Sequence, residues 1–530
     1  MLKSDGEPQK PRCIPQVVEM QNRLLVLLCV SVPSFMINLD SNIVAVSLSS
    51  IARSLHADFT AIEWVISAYT LAFATLVMPA GALADRFGRK RMLVLGLTVF
   101  TLASGICGAA NSTTLLNYAR ALQGVGAALQ LSAALAILSH SFQGKERASA
   151  FAFWGSVIGV AIMLGPVAGG LITQFFGWQW AFYVNLPVGV AMIALTLYAV
   201  TESKDPHAMR VDTAGVLTFS GFLGLLTLAL ISGNRAGWLS RSVLVELGVA
   251  VAMLIAFLVV ESVQTRPMVD LKYLARRTYL GANIAGVSYA VAFLTMLTYL
   301  PFFFQSALGY APLTAGLLML PLAVPLFVVP RVVALYLDHR LSGRTLLVIG
   351  LACVGVGLLL TALRITLFHY PAIFESMLIA SVGAGILNGQ IAKVGMTVIP
   401  VERAGMASGV SGTMRFSGIV VGFAALGAIL FARIGASVGE ALPDLAASDR
   451  LAITHAIADG NLSSATALIR AHGGAASVAQ HSLGFGYEGV LLAASLVALG
   501  AAVLCWWLVS AQETAPHEAT AAQVLELSVD

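Results

Sequence analysis

Charge is scarce in this 530-residue chain. Asp, Glu, Lys and Arg make up 11% of it, against about 25% in an ordinary soluble domain. Hydrophobic residues make up 58%, and the mean hydropathy is +0.87. So few charged side chains cannot solvate the surface of a water-soluble fold, and a disordered chain and a nucleic-acid binder are excluded with it. Cysteine is equally sparse: Cys13, Cys29, Cys107, Cys353 and Cys505 lie far apart, with no CxxC pair and no histidines at metal-ligand spacing beside them. Neither a disulfide scaffold nor a metal site is expected, and the five read as reduced apolar fillers. The nine histidines form no cluster, no nucleophile is paired with a base, and no G-x-x-x-x-G-K-[ST] loop occurs. An enzyme and a nucleotide-driven pump are therefore disfavoured, and no cofactor is expected.

Long apolar runs fill the chain instead. A bilayer core about 30 Å thick needs about 20 mostly apolar residues per helix, and that ruler gives fourteen segments: 24–47, 62–82, 92–110, 114–139, 148–173, 180–200, 212–233, 243–262, 279–303, 313–335, 345–365, 372–398, 405–433 and 486–509. A β-barrel would instead show short alternating segments. The expected fold class is an all-α polytopic membrane protein. Its first run is too long for a cleaved signal peptide and is interrupted by Asp40, so it reads as an uncleaved first span. With the N-terminus inside, twenty-one basic residues fall in the inner connections, and the short outer loops hold only Arg53, Arg235, Arg241 and Arg364. The positive-inside rule then places both termini in the cytoplasm. The long outer segment 434–485 contains stretches such as 451–471 with the pattern of short amphipathic helices.

Ionisable groups inside apolar spans are costly and tend to persist only where used. Asp40 lies about 24 Å from the inner edge of span one, and Arg120 about 9 Å from the outer edge of span four, so in a 30 Å slab their depths nearly coincide. The expectation is one polar pocket in which Arg120 tunes Asp40 and a proton or a cationic substrate competes for the carboxylate; the alternative is a static ion pair that fixes helix packing. Arg415 falls about ten residues into span thirteen and is a candidate for lining a cavity, the alternative being a role in helix packing. Glu375 is read as reaching the interface, and Glu261, Lys393 and Asp212 as snorkelling at the cytoplasmic ends.

The connection between spans two and three reads GALADRFGRKR (81–91). Gly88 suggests a tight turn, and Asp85 a carboxylate free to cap a neighbouring helix N-terminus. The string resembles the signature loop of the major facilitator superfamily. ARALQGVGAALQ (119–130) is similar to that family's fourth-helix motif through Arg120, Gln123 and Gly124. GSVIGVAIMLGPVAGG (155–170) resembles its fifth-helix antiporter motif through Gly155, Gly159, Gly165, Pro166, Gly169 and Gly170. LDSNIVAVSL (39–48) resembles the first-helix motif of the fourteen-helix drug:proton antiporter branch, with Asn42 where that branch usually has threonine. WQWAFYVNLPVG (178–189), ALISGNRAGW (229–238) and FFQSALGYAPLTAGLLMLP (303–321) also look like that branch.

The resemblance implies two six-helix bundles, 24–200 and 279–509, the second including the outer loop 434–485. It also implies two inserted helices with their linkers at 201–278, and cytoplasmic tails at 1–23 and 510–530. A decayed internal repeat is visible, since 79–96 echoes 330–350 with Asp338 out of register. The implied activity is export of amphipathic drug-like compounds in exchange for protons by alternating access, from a bacterial inner membrane. Asp40, Arg120, Gln123 and Arg415 would serve proton coupling or substrate binding. Gly81, Asp85, Arg86, Gly88 and Arg89 would form the inner gate loop, with Asp85 and Arg89 as its latch, and the glycines of 155–170 would hold the bundles sealed in one state. The expected partners are a small-molecule substrate, protons and the lipid bilayer, with no nucleic acid; involvement of a periplasmic adaptor and an outer-membrane channel stays open. The rival readings are a dedicated exporter of one endogenous product or antibiotic, and a non-transporting receptor on the same fold.

Overall fold

The structure is a computed structural model that describes residues 16–142, 144–204, 212–264, 269, 271–400 and 404–515. Among these residues fourteen helices are long and apolar enough to cross a membrane. The first seven helical elements are α1 (Gln16–Leu55), α2 (Phe59–Phe87), α3 (Arg89–Gly108), α4 (Thr113–Ser141), α5 (Gly144–Phe175), a single turn α6 (Trp180–Tyr183) and α7 (Asn185–Ala199). Then come α8 (Thr213–Ala236), α9 (Arg241–Val263) and the short α10 (Leu271–Leu274). The remainder are α11 (Arg277–Tyr289), α12 (Met296–Ser306), α13 (Pro312–Leu318), α14 (Leu320–Tyr336), α15 (Gly343–Ile365), α16 (Tyr370–Met396), α17 (Ala404–Ala441), α18 (Ala447–Ala458), α19 (Leu462–Ala471) and α20 (Ser477–Leu508). A π-helical turn, Ala290–Leu294, joins α11 to α12 in one span.

Local chemistry sets the helix ends. Asp58, Ser112, Asp212, Ser240 and Ser342 each cap the helix that follows by accepting a backbone N–H, which satisfies a donor that has no partner within the helix. Within the spans, Ser34, Ser47, Thr70, Ser104 and Thr361 donate to the carbonyl four residues back. An apolar solvent supplies no other acceptor, so these hydroxyls are satisfied inside their own helix. Several helices run beyond the lengths that hydropathy suggests. The first span covers Arg23–Leu55, and α1 stops only where His56 takes a φ of 49°, because a helix continues into the interface until capping or backbone geometry ends it.

Packing separates two sets of helices. In one, α4 lies against α2 and α3, α1 against α5, and α7 against α3. In the other, α15 lies against α16 and α20, α11 against α16 and α20, and α14 against α16. The two sets meet along α2 with α17, α5 with α13 and α14, and α1 with α12. Helix α8 packs against α2 and α17, with α9 packed on α8, and so the pair covers one seam from outside.

One end of the bundle is basic and carries Arg86, Arg89, Lys90, Arg91, Arg340 and Arg344. At the opposite end α18 and α19 form a small cap that buries Ile453, Ile457, Ala465 and Ile469. These are the amphipathic helices expected in the long outer segment. Gly460 at their junction, with a φ of 75°, packs on Ser306 and Phe302 at the end of α12.

Two local expectations are corrected. Glu261 does not snorkel: it is 2% exposed and accepts the Val269 N–H at 2.9 Å, holding the chain that leads from α9 toward the second set. The cap on α3 comes from Glu202, not Asp85. Glu202 accepts from Lys90 N at 3.1 Å and Arg91 N at 3.3 Å, because Asp85 is already engaged by Arg89, at 3.0 Å from Nε and 2.8 Å from Nη2. Gly88, with a φ of 116°, makes the expected one-residue turn, and a Cβ there would lie 2.5 Å from the Glu202 carboxylate. Cys13 lies outside the described residues, as do six of the twenty-one inner basic residues: Lys3, Lys10, Arg12, Arg210, Arg266 and Arg403.

Candidate functional site

Four helices of the first set deliver polar side chains to one dry point. Asp40 comes from α1, Ser104 from α3, Arg120 and Gln123 from one turn of α4, and Asn185 from the start of α7. Arg120 donates Nη1 to Asp40 Oδ2 at 2.8 Å and to Gln123 Oε1 at 2.7 Å, and Nε to the Val65 carbonyl at 3.0 Å. Gln123 Nε2 donates to Asp40 Oδ1 at 2.9 Å and to Ser104 Oγ at 2.8 Å. Asn185 Nδ2 donates to Asp40 Oδ1 at 2.8 Å. Asp40 is 1% exposed, and Arg120 and Gln123 are 0% exposed.

The spacing of the sequence accounts for this convergence. Arg120 and Gln123, three residues apart, share a helix face, and close approach of α4 to α2 is allowed because Gly124 presses on the Tyr69 carbonyl. The Tyr69 ring lies 4.1 Å from the Arg120 guanidinium and the Phe182 ring 5.8 Å from it, so aromatic faces cover the cation where protein oxygens do not.

A charge pair this deep is tolerable only with its other polar atoms satisfied. Asp40 accepts from Arg120, Gln123 and Asn185, and neither carboxylate oxygen meets solvent. A bulky cation therefore has no route to Asp40 in this conformation, whereas a proton needs only a transient opening. Asn185, Ser104 and Tyr69 were not singled out by sequence. Asn185 carried a signal, being an amide inside the apolar string 178–200; Ser104 and Tyr69 carried none, since their roles depend on packing.

Other candidates fall elsewhere. Arg415 lies on α17, outside the Asp40 network, with its guanidinium 5.4 Å from the Phe416 ring and a buried Nε that has no hydrogen-bond partner among the described residues. Phe416 in turn packs edge-on against Phe73 of α2 at 4.3 Å. Glu375 is 80% exposed and stands 3.9 Å from Arg364. Arg86 stacks over Phe87, and Gly81 faces open space. Lys393 reaches Asp338 at 3.0 Å.

The glycine-rich stretch of α5 divides its contacts. Gly165 and Gly169 press on Asn42 and Ile43 of α1. Gly159 meets Phe327, Gly170 meets the Pro312 carbonyl, and the Pro166 carbonyl meets Gly316, all across the seam to α13 and α14. Gly155 touches nothing within 4 Å. At Gly169, Gly170 and Gly316 a Cβ would collide with backbone, and at Gly165 with the Asn42 side chain, so these contacts need glycine.

Glu63 was missed altogether. It is 2% exposed on α2, with no ion pair among the described residues and no partner for Oε1. That oxygen lies 1.7 Å from where a Cβ of Gly427 would stand, so the carboxyl group fills the notch this glycine leaves in α17. The Tyr299 hydroxyl, which donates to the Phe423 carbonyl, lies beside the same notch.

Fourteen apolar helices, two packed sets with a further pair across one seam, and a buried ion-pair network define a polytopic membrane protein. The chain belongs to the Major Facilitator Superfamily, whose family profile matches residues 30–423. It is 35% identical over 438 residues to the multidrug resistance protein Stp of Mycobacterium tuberculosis, covering 80% of each chain. It is 32% identical to the methylenomycin A resistance protein of Streptomyces coelicolor over 78% of this chain and 86% of that one. Among solved structures it resembles a bacterial homologue of the human lysosomal transporter Spinster, with a TM-score of 0.59 at 14% identity, covering 93% of this chain and 98% of that one. The protein is thus a multi-pass membrane transporter of small molecules and not an enzyme.

Proposed function

We propose that this protein exports amphipathic drug-like molecules across the cytoplasmic membrane of a bacterium in exchange for protons. The observation that carries the reading is the buried Asp40–Arg120–Gln123–Asn185 network: a carboxylate whose charge is balanced by one guanidinium can gain or lose a proton as the surrounding helices shift. Asp40 is the proton site in this scheme. Arg120 holds its position and charge balance, and Gln123 and Asn185 fix its orientation. The cargo binds elsewhere between the two helix sets, where Arg415 of α17 is the candidate contact.

Alternating access follows from rocking of bundles 24–200 and 279–509 about a cargo site between them. The α5 seam, with Gly159, Pro166 and Gly170 set against α13 and α14, supports a role in sealing one side. Asp85, Gly88 and Arg89 form a rigid turn at the basic end, which we assign to the inner gate. The basic end faces the cytoplasm together with both termini, as the distribution of lysine and arginine favours. An adaptor and outer-membrane channel, if used, would approach the cap formed by α18 and α19.

Multidrug export is supported by the relative named for multidrug resistance. The relative named for methylenomycin A resistance supports a second reading, a dedicated exporter of one compound. A panel of dyes and antibiotics in everted vesicles tests both readings. An imposed proton gradient should drive uptake and a protonophore abolish it, and the breadth of cargo accepted separates the two. Transport that requires ATP, or that ignores the protonophore, would overturn proton exchange.

A further inference from the structure

Three arginines gather at the basic end of the second helix set, away from the Asp40 network. Arg276 immediately precedes α11, Arg277 is its first residue, and Arg344 lies one residue into α15. Together they line a cavity of about 700 Å³ whose far wall is the end of α20 and the segment that follows it. None of the three forms an ion pair among the described residues. Arg276 donates Nη1 to the Val398 carbonyl at 2.7 Å. Arg277 is exposed. Arg344 lies 4.3 Å from the Trp506 ring, and its Nε is buried without a hydrogen-bond partner among the described residues. The one carboxylate in the lining, Glu513, accepts the Thr278 hydroxyl. Three cations and one anion leave the lining with a net formal charge of +2.

The apolar side of the same cavity is equally specific. Trp507, 79% exposed, and Leu508 line it, and Trp506 beside them is 51% exposed. Exposed tryptophans at the end of a membrane helix mark the level of the lipid headgroups, and here two long helices begin and a third ends at that level. A basic hollow opening onto an apolar, tryptophan-edged surface has the chemistry of a phosphate group with acyl chains attached.

We propose that this cavity binds the headgroup of an anionic phospholipid, with Arg276, Arg277 and Arg344 around its phosphate and Trp507 beside its acyl chains. The site shares no residue with the proton network, so it stands on the membrane location of the protein and not on the proposed cargo. Its bound lipid would tie the end of α20 to the starts of α11 and α15.

Native mass spectrometry of the purified full-length protein tests it, with phosphatidylglycerol or phosphatidylcholine supplied in turn. Wild type should retain phosphatidylglycerol in preference to phosphatidylcholine. Arg277→Gln and Arg344→Gln should each weaken that retention about fivefold, the effect of one basic residue on an anionic headgroup. Arg277 makes no hydrogen bond among the described residues, so its variant leaves the fold intact, and Arg340→Gln, exposed at the same end but outside the cavity, should behave as wild type. Equal retention of the two lipids, or unchanged retention in both cavity variants, would overturn the proposal. Displacement of the lipid by inorganic phosphate at matching concentration would assign the cavity to free phosphate and overturn the lipid assignment.

Discussion

Replacing Asp40 by asparagine puts the greatest load on the proposed mechanism. Asparagine offers one acceptor oxygen and one N–H2 group where aspartate offers two acceptor oxygens. If the amide nitrogen takes the place of Oδ2, it faces Arg120 Nη1 at 2.8 Å; in the place of Oδ1, it faces Gln123 Nε2 at 2.9 Å and Asn185 Nδ2 at 2.8 Å. Either placement sets donor against donor and leaves the Arg120 guanidinium, which is 0% exposed, without a counter-charge. Removing one partner of a buried pair costs about 3–5 kcal/mol. The Val65 carbonyl, Gln123 Oε1 and the Tyr69 ring remain around the guanidinium, which holds the expected loss near the lower figure, about 3 kcal/mol.

Chemical unfolding in lipid nanodiscs measures that loss, and a pH indicator measures protons released on cargo addition. Asp40→Asn should unfold more easily and release no proton. Adding Arg120→Gln removes the stranded charge, so the double variant should regain most of the stability while proton-driven transport stays absent. Undiminished proton release in Asp40→Asn would refute the reasoning. Recovery of gradient-driven transport in the double variant would reduce the pair to a packing device.

Three further perturbations probe the seams and the loop. Gly427→Ala places a methyl 1.7 Å from Glu63 Oε1, so it should block closure of the α2–α17 seam and lower transport in vesicles; Glu63→Ala, which empties the notch, should restore it. Gly316→Ala puts a Cβ 2.1 Å from the Pro166 carbonyl and should cost about 1–3 kcal/mol by overpacking, whereas Gly155→Ala, with open space around it, should stay within about 0.5 kcal/mol of wild type; thermal denaturation compares the two. Glu202→Ala strips the cap from α3 and should cost about 1 kcal/mol, read in the same denaturation, while Glu202→Gln should keep part of the loss back by retaining one acceptor.

Asp40 and Arg120 were legible as a pair because depth in a bilayer is a one-dimensional quantity: residue count times helical rise places each side chain along the normal. The spans, the basic end and the turn at Gly88 were legible for similarly local reasons, since hydropathy, charge and positive φ are written into short stretches of chain. Which groups satisfy a buried charge is different. Ser104 and Asn185 are far from Asp40 in sequence, and the helix rotations that aim them are set by close packing such as Gly124 on the Tyr69 carbonyl.

Composition and spacing alone were enough to fix a fourteen-helix membrane protein, its candidate acid and guanidinium, and the glycine-rich fifth span, because the cost of exposing polar groups to lipid constrains each segment independently. The division of the α5 glycines between α1 and the α13–α14 seam came only with the tertiary structure, as did the Glu202 cap, the burial of Glu261, the lodging of Glu63 against Gly427 and the arginine cavity beside α20. Each of these is a contact between segments distant in sequence, and such contacts depend on how whole helices rotate and cross, which no local pattern encodes.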